Sequence, residues 1–323
     1  MEVLVTGVAG FIGSRVAAKL LELGHRVLGM DCFTDYYPRP LKELNLAPFN
    51  GQEGFRLLEE DVTKADLVGL LEGKGAVIHL AAQAGVRRSW AKNFEIYTKN
   101  NVLSTQHLLE AGVQVGLPRL VYAGSSSVYG DTRDLPARED SACWPVSPYG
   151  VTKLAGEHLC LLYHRNFGLE TASLRYFTVY GPGQRPDMAF HRFIRAMLTG
   201  GEIRLFGDGG QSRDFTFVAD IVDATVAAAL KENAVSGVYN IGGGSKASVN
   251  QVLDMLEEIT GGKATINRLE VAKGDVRDTW ADTSRAAREL EFKPQWDLAR
   301  GLAAEVEWMR QTLPLLEEID RGH

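Results

Sequence analysis

The chain is poor in cysteine, with three among 323 residues. Cys32, Cys143 and Cys160 are too few for a disulfide framework and show no metal-ligand spacing. No metal is therefore expected, and the thiols read as inert groups in a reducing cytoplasm. No apolar run approaches the roughly 20 residues of a membrane span, so no membrane partner is expected. The first residues already read as a strand, and no leader segment is expected before them. Positive charge is not in excess: 35 Lys and Arg stand against 41 Asp and Glu, a net charge of -6, which argues against electrostatic nucleic-acid binding. A hydrophobic content of 45% is too high for disorder and suffices for one large or two modest domains. What is plentiful is glycine, with 34 residues. Some of it must serve turns, and some can bring backbone close to a ligand.

The start of the chain gives part of that glycine a purpose. Glu2 to Thr6 is a short apolar run suited to a strand, and Gly7-Val-Ala-Gly10-Phe11-Ile12-Gly13 follows directly. Ser14 to Leu23 then carries apolar residues at helical spacing, and His25 to Met30 reads as a second strand ending at Asp31. Strand, glycine turn, helix, strand and acid is the order that dinucleotide binding needs. Gly7 permits the tight turn, Gly10 leaves room for a pyrophosphate, and Gly13 lets the helix lie close to the sheet. The N–H groups at the helix start then face an anion. Asp31, eighteen residues beyond Gly13, can accept from ribose hydroxyls and would repel a 2′-phosphate, so NAD is expected over NADP.

The alternation continues. Phe55–Leu58, Ala76–Leu80 and Leu120–Ala123 read as further strands, and Asn93 to Leu109 as a long amphipathic helix. Asp61 and Val62 follow one strand end and can meet adenine, while Asp61 can equally cap the next helix. Leu80, Ala81, Ala82 and Gln83 follow another strand end, where small residues let backbone press on a cofactor. The pattern implies an α/β protein with a doubly wound parallel sheet, whose ligands sit at the carboxyl ends of the strands. Tyr149 and Lys153 lie four residues apart at the start of a helix opened by Pro148. That spacing puts them on one face, where the ammonium is expected to lower the tyrosine pKa from its ordinary ~10. Ser125 would hold the substrate hydroxyl being oxidised, and Asn101 would support the helix or a water near Lys153.

With Ser125-Ser-Ser-Val-Tyr-Gly130, Ser147-Pro-Tyr-Gly-Val-Thr-Lys153, Leu174-Arg-Tyr-Phe177 and Tyr180-Gly-Pro182, nearly the whole chain resembles the extended short-chain dehydrogenase/reductases. Within them it is similar to the NAD-dependent sugar-nucleotide epimerases and dehydratases. The resemblance implies a Rossmann-type domain over residues 1–180, with 215–242 returning to it, and a smaller mixed α/β domain over 181–323 that binds a UDP-sugar. It adds Tyr176 to the cofactor contacts, and it implies a homodimer joined through the Asn93–Leu109 and Tyr149–Tyr163 helices.

The branches differ near the catalytic pair. Dehydratases carry Asp-Glu where this chain has Ser126 and Ser127, and the uronate decarboxylases carry Glu at the position of Ser127. Epimerases of neutral hexoses carry Asn where this chain has Thr178. The string Thr178-Val-Tyr-Gly-Pro…Arg185-Pro-Asp-Met188, with Gln83-Ala-Gly-Val-Arg87-Arg-Ser89, resembles the UDP-glucuronate 4-epimerases. The implied reaction passes through a 4-keto sugar, a β-keto acid that loses CO2 unless its carboxylate is held out of alignment. Ser126, Ser127 and Thr178 join the catalytic candidates. Arg185, Arg192 and Arg87 are candidates for the carboxylate, because a guanidinium offers it a planar fork. Arg213 and Arg277 are expected at the diphosphate, and the Gly207–Gly210 turn at uracil. A 4-epimerase of neutral or N-acetylated UDP-hexoses is the alternative, and a UDP-glucuronate decarboxylase a more distant one. Leu313 to His323 reads as a charged tail that frays.

Overall fold

The apolar runs of the first half form parallel strands in the computed structural model, which describes residues 1–231, Ala234 and residues 237–321. They are β1 (Glu2–Thr6), β2 (Arg26–Asp31), β3 (Phe55–Glu59), β4 (Ala76–His79), β5 (Arg119–Ser125) and β6 (Glu170–Tyr176). Three further strands are β7 (Val179–Tyr180), β8 (Glu202–Phe206) and β9 (Ser212–Phe217), followed by β10 (Gly237–Ile241), β11 (Ser245–Ser248) and β12 (Thr265–Leu269). The main sheet has the order β10-β6-β5-β4-β1-β2-β3, and every neighbouring pair is parallel. The runs are continuously apolar because both faces are covered. Val3 and Val5 face the helices Phe11–Glu22 and Val218–Leu230, while Leu4, Leu28 and Met30 pack with Leu108, Leu109, Cys160 and Tyr163 on the other face. The strand order reverses between β1 and β4, which is where a doubly wound sheet opens its crevice.

The segment read as one helix from Asn93 to Leu109 is helical from Ala91 to Val115, with a π-helical turn at Thr98–Leu103 in its middle. The i→i+5 backbone bonding of that turn is not readable from residue types. The helix Pro148–Phe167 begins at Ser147, whose Oγ accepts the Gly150 N–H at 3.1 Å, and ends at left-handed Gly168.

The second half builds two small sheets, β11-β9-β7 and the parallel pair β8–β12. Of the segment 215–242, residues 215–217 end β9 in a small sheet, the following helix packs on Phe11–Glu22, and β10 joins β6. Glu232, Asn233, Val235 and Ser236 of that segment lie outside the described residues. The expected frayed tail is instead helical: Leu298–Arg321 is one helix that runs through Pro314. Leu315, Leu316 and Ile319 pack on the main core and hold its last turns in place. Gly322 and His323 lie outside the described residues. One face of this helix grips the chain just after β7. The Asp297 carbonyl accepts the Tyr180 hydroxyl at 3.2 Å, Gly301 lies against that hydroxyl, and the Glu305 Oε2 accepts the Gly181 N–H at 2.8 Å.

Candidate active site

A cleft opens along the carboxyl ends of the strands at the point of reversal. Gly7 turns the chain off β1 with φ +70, and a Cβ there would stand 2.7 Å from the Ala81 backbone nitrogen. A Cβ on Gly13 would stand 2.1 Å from the Gly7 carbonyl oxygen, so only glycine lets the helix approach the turn. Gly10 is different: a Cβ there would meet Gly7 oxygen at 3.1 Å and otherwise project into the cleft. With Phe11 and Ile12 at the helix start also lining it, the turn has the shape and the free N–H groups of an anion cradle. A dinucleotide therefore fits the residues present.

The other expected cofactor positions line the same cleft. At the end of β2, Asp31 accepts N–H groups from Ala9 (3.1 Å) and Phe33 (2.9 Å), and burial raises its carboxyl above the usual range. Val62 and Asp61 lie across from it. Asp61 pairs with Lys99 at 2.7 Å and accepts the Thr63 N–H at 2.9 Å; burial works against its charge, but these partners hold its pKa low. It does not cap the next helix, Leu67–Leu71. Asp66 does, accepting the Gly69 N–H at 3.2 Å, because that helix begins further along the chain. Leu80, Ala81, Ala82 and Gln83 form the floor after β4, and Tyr176 closes the far side with Tyr149 and Lys153.

Tyr149 and Lys153 share the helix face expected of them, but their electrostatics differ from expectation. Lys153 donates to the Ala123 carbonyl at 2.9 Å, with its ammonium over the Tyr122 ring, and burial pushes it down to about 8. The Tyr149 hydroxyl is raised by burial, opposed by a hydrogen bond with Ser125 and by the charge of Arg185. Burial outweighs the lowering that the four-residue spacing predicts, and the opposing groups are Ser125 and Arg185. Asn101 bonds to the helix that carries Lys153. It accepts the Gln83 N–H at 2.7 Å and donates to the Gln83 carbonyl and to Thr152, both at 3.0 Å. It thereby ties the π-helical turn to the cleft floor and to the Tyr149 helix.

Ser126 and Ser127 form the turn after Ser125, half-buried, and the Ser127 N–H donates to Ser125 Oγ at 3.2 Å. Thr178 is half-buried between β6 and β7, its carbonyl accepting the Thr216 N–H at 2.9 Å. Among the expected substrate positions, Arg185 lines the cleft beside Tyr149. Arg87 pairs with Asp275 at 2.7 Å and lies over the Phe206 ring. Arg192 is exposed on the helix Ala189–Thr199; like Arg87, Arg213, Arg277, Thr178 and Ser125 to Ser127, it is not among the residues that line this cleft. Arg213 donates to the carbonyls of Ser212 and Val276 at 2.8 Å, and Arg277 pairs with Asp208 at 3.0 Å. The structure thus gathers Arg87, Arg213 and Arg277 around the 206–208 and 275–277 segments, and it leaves Arg192 apart from them.

Sequence reasoning did not name as site residues Tyr36, Tyr37 and Lys42, which line the cleft, or Tyr97, which packs beside Tyr149. Lys42 lies over the Tyr37 ring and donates to the Thr34 carbonyl, with its charge near Asp31. Tyr36 donates to Asp187 at 3.2 Å, and Tyr97 packs edge-on against Tyr149 while donating to the Gly85 carbonyl at 2.7 Å. The signal for three of them was the string Asp35-Tyr-Tyr37 followed by Leu41-Lys42 after the second strand, which resembles the UDP-glucuronate 4-epimerases.

Known proteins resemble this arrangement along the whole chain. UDP-glucuronic acid 4-epimerase from Bacillus cereus, solved with UDP-glucuronic acid and NAD, is 46% identical, with a TM-score of 0.94 over 96% of this chain and 99% of that one. A UDP-glucuronate 4-epimerase of Thermodesulfobacterium geofontis (strain OPF15) is 40% identical over 98% of both chains. An uncharacterized UDP-glucose epimerase of Bacillus subtilis (strain 168) is 43% identical over 96% of this chain and 98% of its own. A model of the NAD dependent epimerase/dehydratase family matches residues 3–242, and the chain belongs to that family.

Proposed function

We propose that the protein converts UDP-glucuronate to UDP-galacturonate by inverting C4 through a transient 4-keto sugar, keeping the carboxylate. The observation that carries this reading is Arg185 beside Tyr149 in the cleft, next to a turn after β5 that has no acid at Ser126 or Ser127. The resemblance to the Bacillus cereus enzyme supports it.

NAD is the cofactor in this reading, and when bound it supplies reversible hydride storage. Gly7, Gly10, Phe11, Ile12 and Gly13 would hold its pyrophosphate, and Asp31 a ribose. Asp61 and Val62 would flank adenine, while Leu80 to Gln83 and Tyr176 would line the nicotinamide half. Lys153 would hold the second ribose. Tyr149 takes the proton from the sugar 4-hydroxyl and returns it, and Ser125 holds that hydroxyl at the tyrosine oxygen. Lys153, with a pKa near neutrality, keeps a proton within reach of the pair. Ser126, Ser127, Thr178 and Arg185 hold the sugar and its carboxylate. Arg87, Arg213 and Arg277 hold the diphosphate, and Arg192, exposed on its helix, remains a second candidate for the carboxylate.

The division into a cofactor domain (1–180, with part of 215–242 returning) and a sugar domain (181–323) belongs to this reading. So do a cytoplasmic setting, supported by three unpaired cysteines, and a homodimer. Ile96 and Leu103 on one helix, and Val151 and Leu162 on the next, are exposed and would be covered by a second copy. The relative named a UDP-glucose epimerase favours neutral UDP-hexoses as a second reading. A panel of UDP-glucuronate, UDP-glucose and UDP-N-acetylglucosamine, with products identified by NMR, separates the two. Turnover of UDP-glucuronate with the carboxylate intact is expected. Turnover of UDP-glucose with UDP-glucuronate untouched would overturn the proposal.

A further inference from the structure

The way Arg185 is held carries one step more, resting on the uronate reading above. Arg185 Nε donates to Asp187 Oδ1 at 2.9 Å and its Nη2 to Oδ2 at 3.0 Å, a bidentate clamp. The chain makes this pairing local. Pro186 separates the two residues with a fixed φ, and the Met188 N–H closes the turn on the Arg185 carbonyl at 3.0 Å. Both side chains stay half-buried, with relative exposures of 21% and 23%. A third group comes from far away in sequence: Tyr36, on the segment after β2, donates its hydroxyl to the same Asp187 Oδ2 at 3.2 Å. The clamp uses the Nε and one Nη2 hydrogen. Among the described residues Nη1 has no hydrogen-bond partner, so one edge of the guanidinium fork remains for a planar anion in the cleft.

We propose that Asp187 is a positioning residue that orients Arg185 for the substrate carboxylate, with Tyr36 as its second anchor. An arginine on a flexible stem grips a carboxylate in many geometries. One clamped by Asp187 presents a single edge in a single plane, which is what a 4-keto uronate requires. When its carboxylate drifts into line with the ketone, the C5–C6 bond breaks and its electron pair passes to C5 as an enolate. CO2 then leaves and C5 takes a proton from water, with no net oxidation. Asp187 therefore governs how turnovers partition between retained uronate and lost CO2.

The test uses the whole enzyme and UDP-glucuronate isotopically labelled at C6. In Asp187→Asn the KM is expected to rise about tenfold, the worth of one charge-assisted hydrogen bond. Labelled CO2 and a UDP-pentose, formed when the stored hydride returns to the 4-ketopentose, are expected to appear, while NAD content and melting temperature match the wild type. Tyr36→Phe should move partition in the same direction by less, and it carries the decision if Asp187→Asn does not fold. A merely structural role would lower stability or NAD content without changing partition. Wild-type KM and no CO2 from either variant would overturn the inference while leaving the epimerase reading intact. Wild-type enzyme inert toward UDP-glucuronate would overturn both.

Discussion

Gly13→Ala is the substitution whose effect follows most directly from the coordinates. The added methyl would stand 2.1 Å from the Gly7 oxygen, 2.9 Å from the Gly7 carbonyl carbon and 3.0 Å from the Val8 Cα. All three are backbone atoms, so no side chain can swing away. Ordinary contact needs the helix Phe11–Glu22 to retreat by about 1 Å. Overpacking of this kind costs about 1–3 kcal/mol of stability. A retreat of that size also stretches a 2.9 Å hydrogen bond from the helix start to roughly 4 Å, beyond any useful bond. Each charge-assisted bond lost from a pyrophosphate costs about 1.5–3 kcal/mol, or roughly 10- to 100-fold in NAD affinity. Gly10→Ala is the control: its methyl meets one protein atom, at 3.1 Å, and projects into the cleft, so it should weaken NAD binding with little loss of stability. Thermal unfolding and NAD titration calorimetry on nucleotide-stripped protein read the two effects separately. A Gly13→Ala protein that melts and binds NAD as the wild type does would refute the reasoning.

Tyr149→Phe should keep NAD and the fold but lose about 10²- to 10⁴-fold in turnover, the usual worth of a positioned acid–base group; a purely structural or sensing protein would show no turnover to lose. Glu157 lies one turn beyond Lys153 and holds Arg175 at 2.8 and 2.6 Å with both side chains buried, so Glu157→Ala should cost about 3–5 kcal/mol by denaturant unfolding. His79 is buried between the hydroxyls of Thr6 and Thr105, and burial pushes its pKa down to about 3. Above pH 6.5 neither the folded nor the unfolded state carries its proton. Below that, the unfolded state binds a proton that the folded state does not until about pH 3, so stability falls as pH falls through this window. Relative to His79→Gln, which has no such group, the wild type should lose about 1.4 kcal/mol per pH unit below 6.5. A difference independent of pH would contradict this.

The strands and the glycine turn were legible because burial on both sheet faces writes itself as unbroken apolar runs, and because Gly7 and Gly13 are required by backbone geometry alone. Tyr149 and Lys153 were legible from spacing, but the direction of the tyrosine shift was not. That depends on how deeply Tyr149 is buried and on Ser125 and Arg185 reaching it, and none of these is local in sequence. Tyr36 meets Asp187 across 151 positions, and Glu305 meets Gly181 across 124, so neither contact leaves a pattern in the chain. The last helix misled for a similar reason. The charges from Leu313 onward suggest a fraying end, yet tertiary packing of Leu316 keeps it helical. Arg213 and Arg192 show the same limit from the other side: the sequence offers Arg213 for the diphosphate and Arg192 for the carboxylate, and only the fold commits Arg213 to backbone carbonyls and leaves Arg192 exposed.

The central claim is inversion at C4 with the carboxylate kept, and one labelled substrate tests both halves. UDP-glucuronate carrying deuterium at C4 and a carbon label at C6 is incubated with the enzyme without added nucleotide, and the products are identified by NMR. The account predicts UDP-galacturonate with deuterium still on C4 and the C6 label still in a carboxylate. Recovery of unchanged UDP-glucuronate, or of a pentose with the C6 label released as CO2, would contradict it.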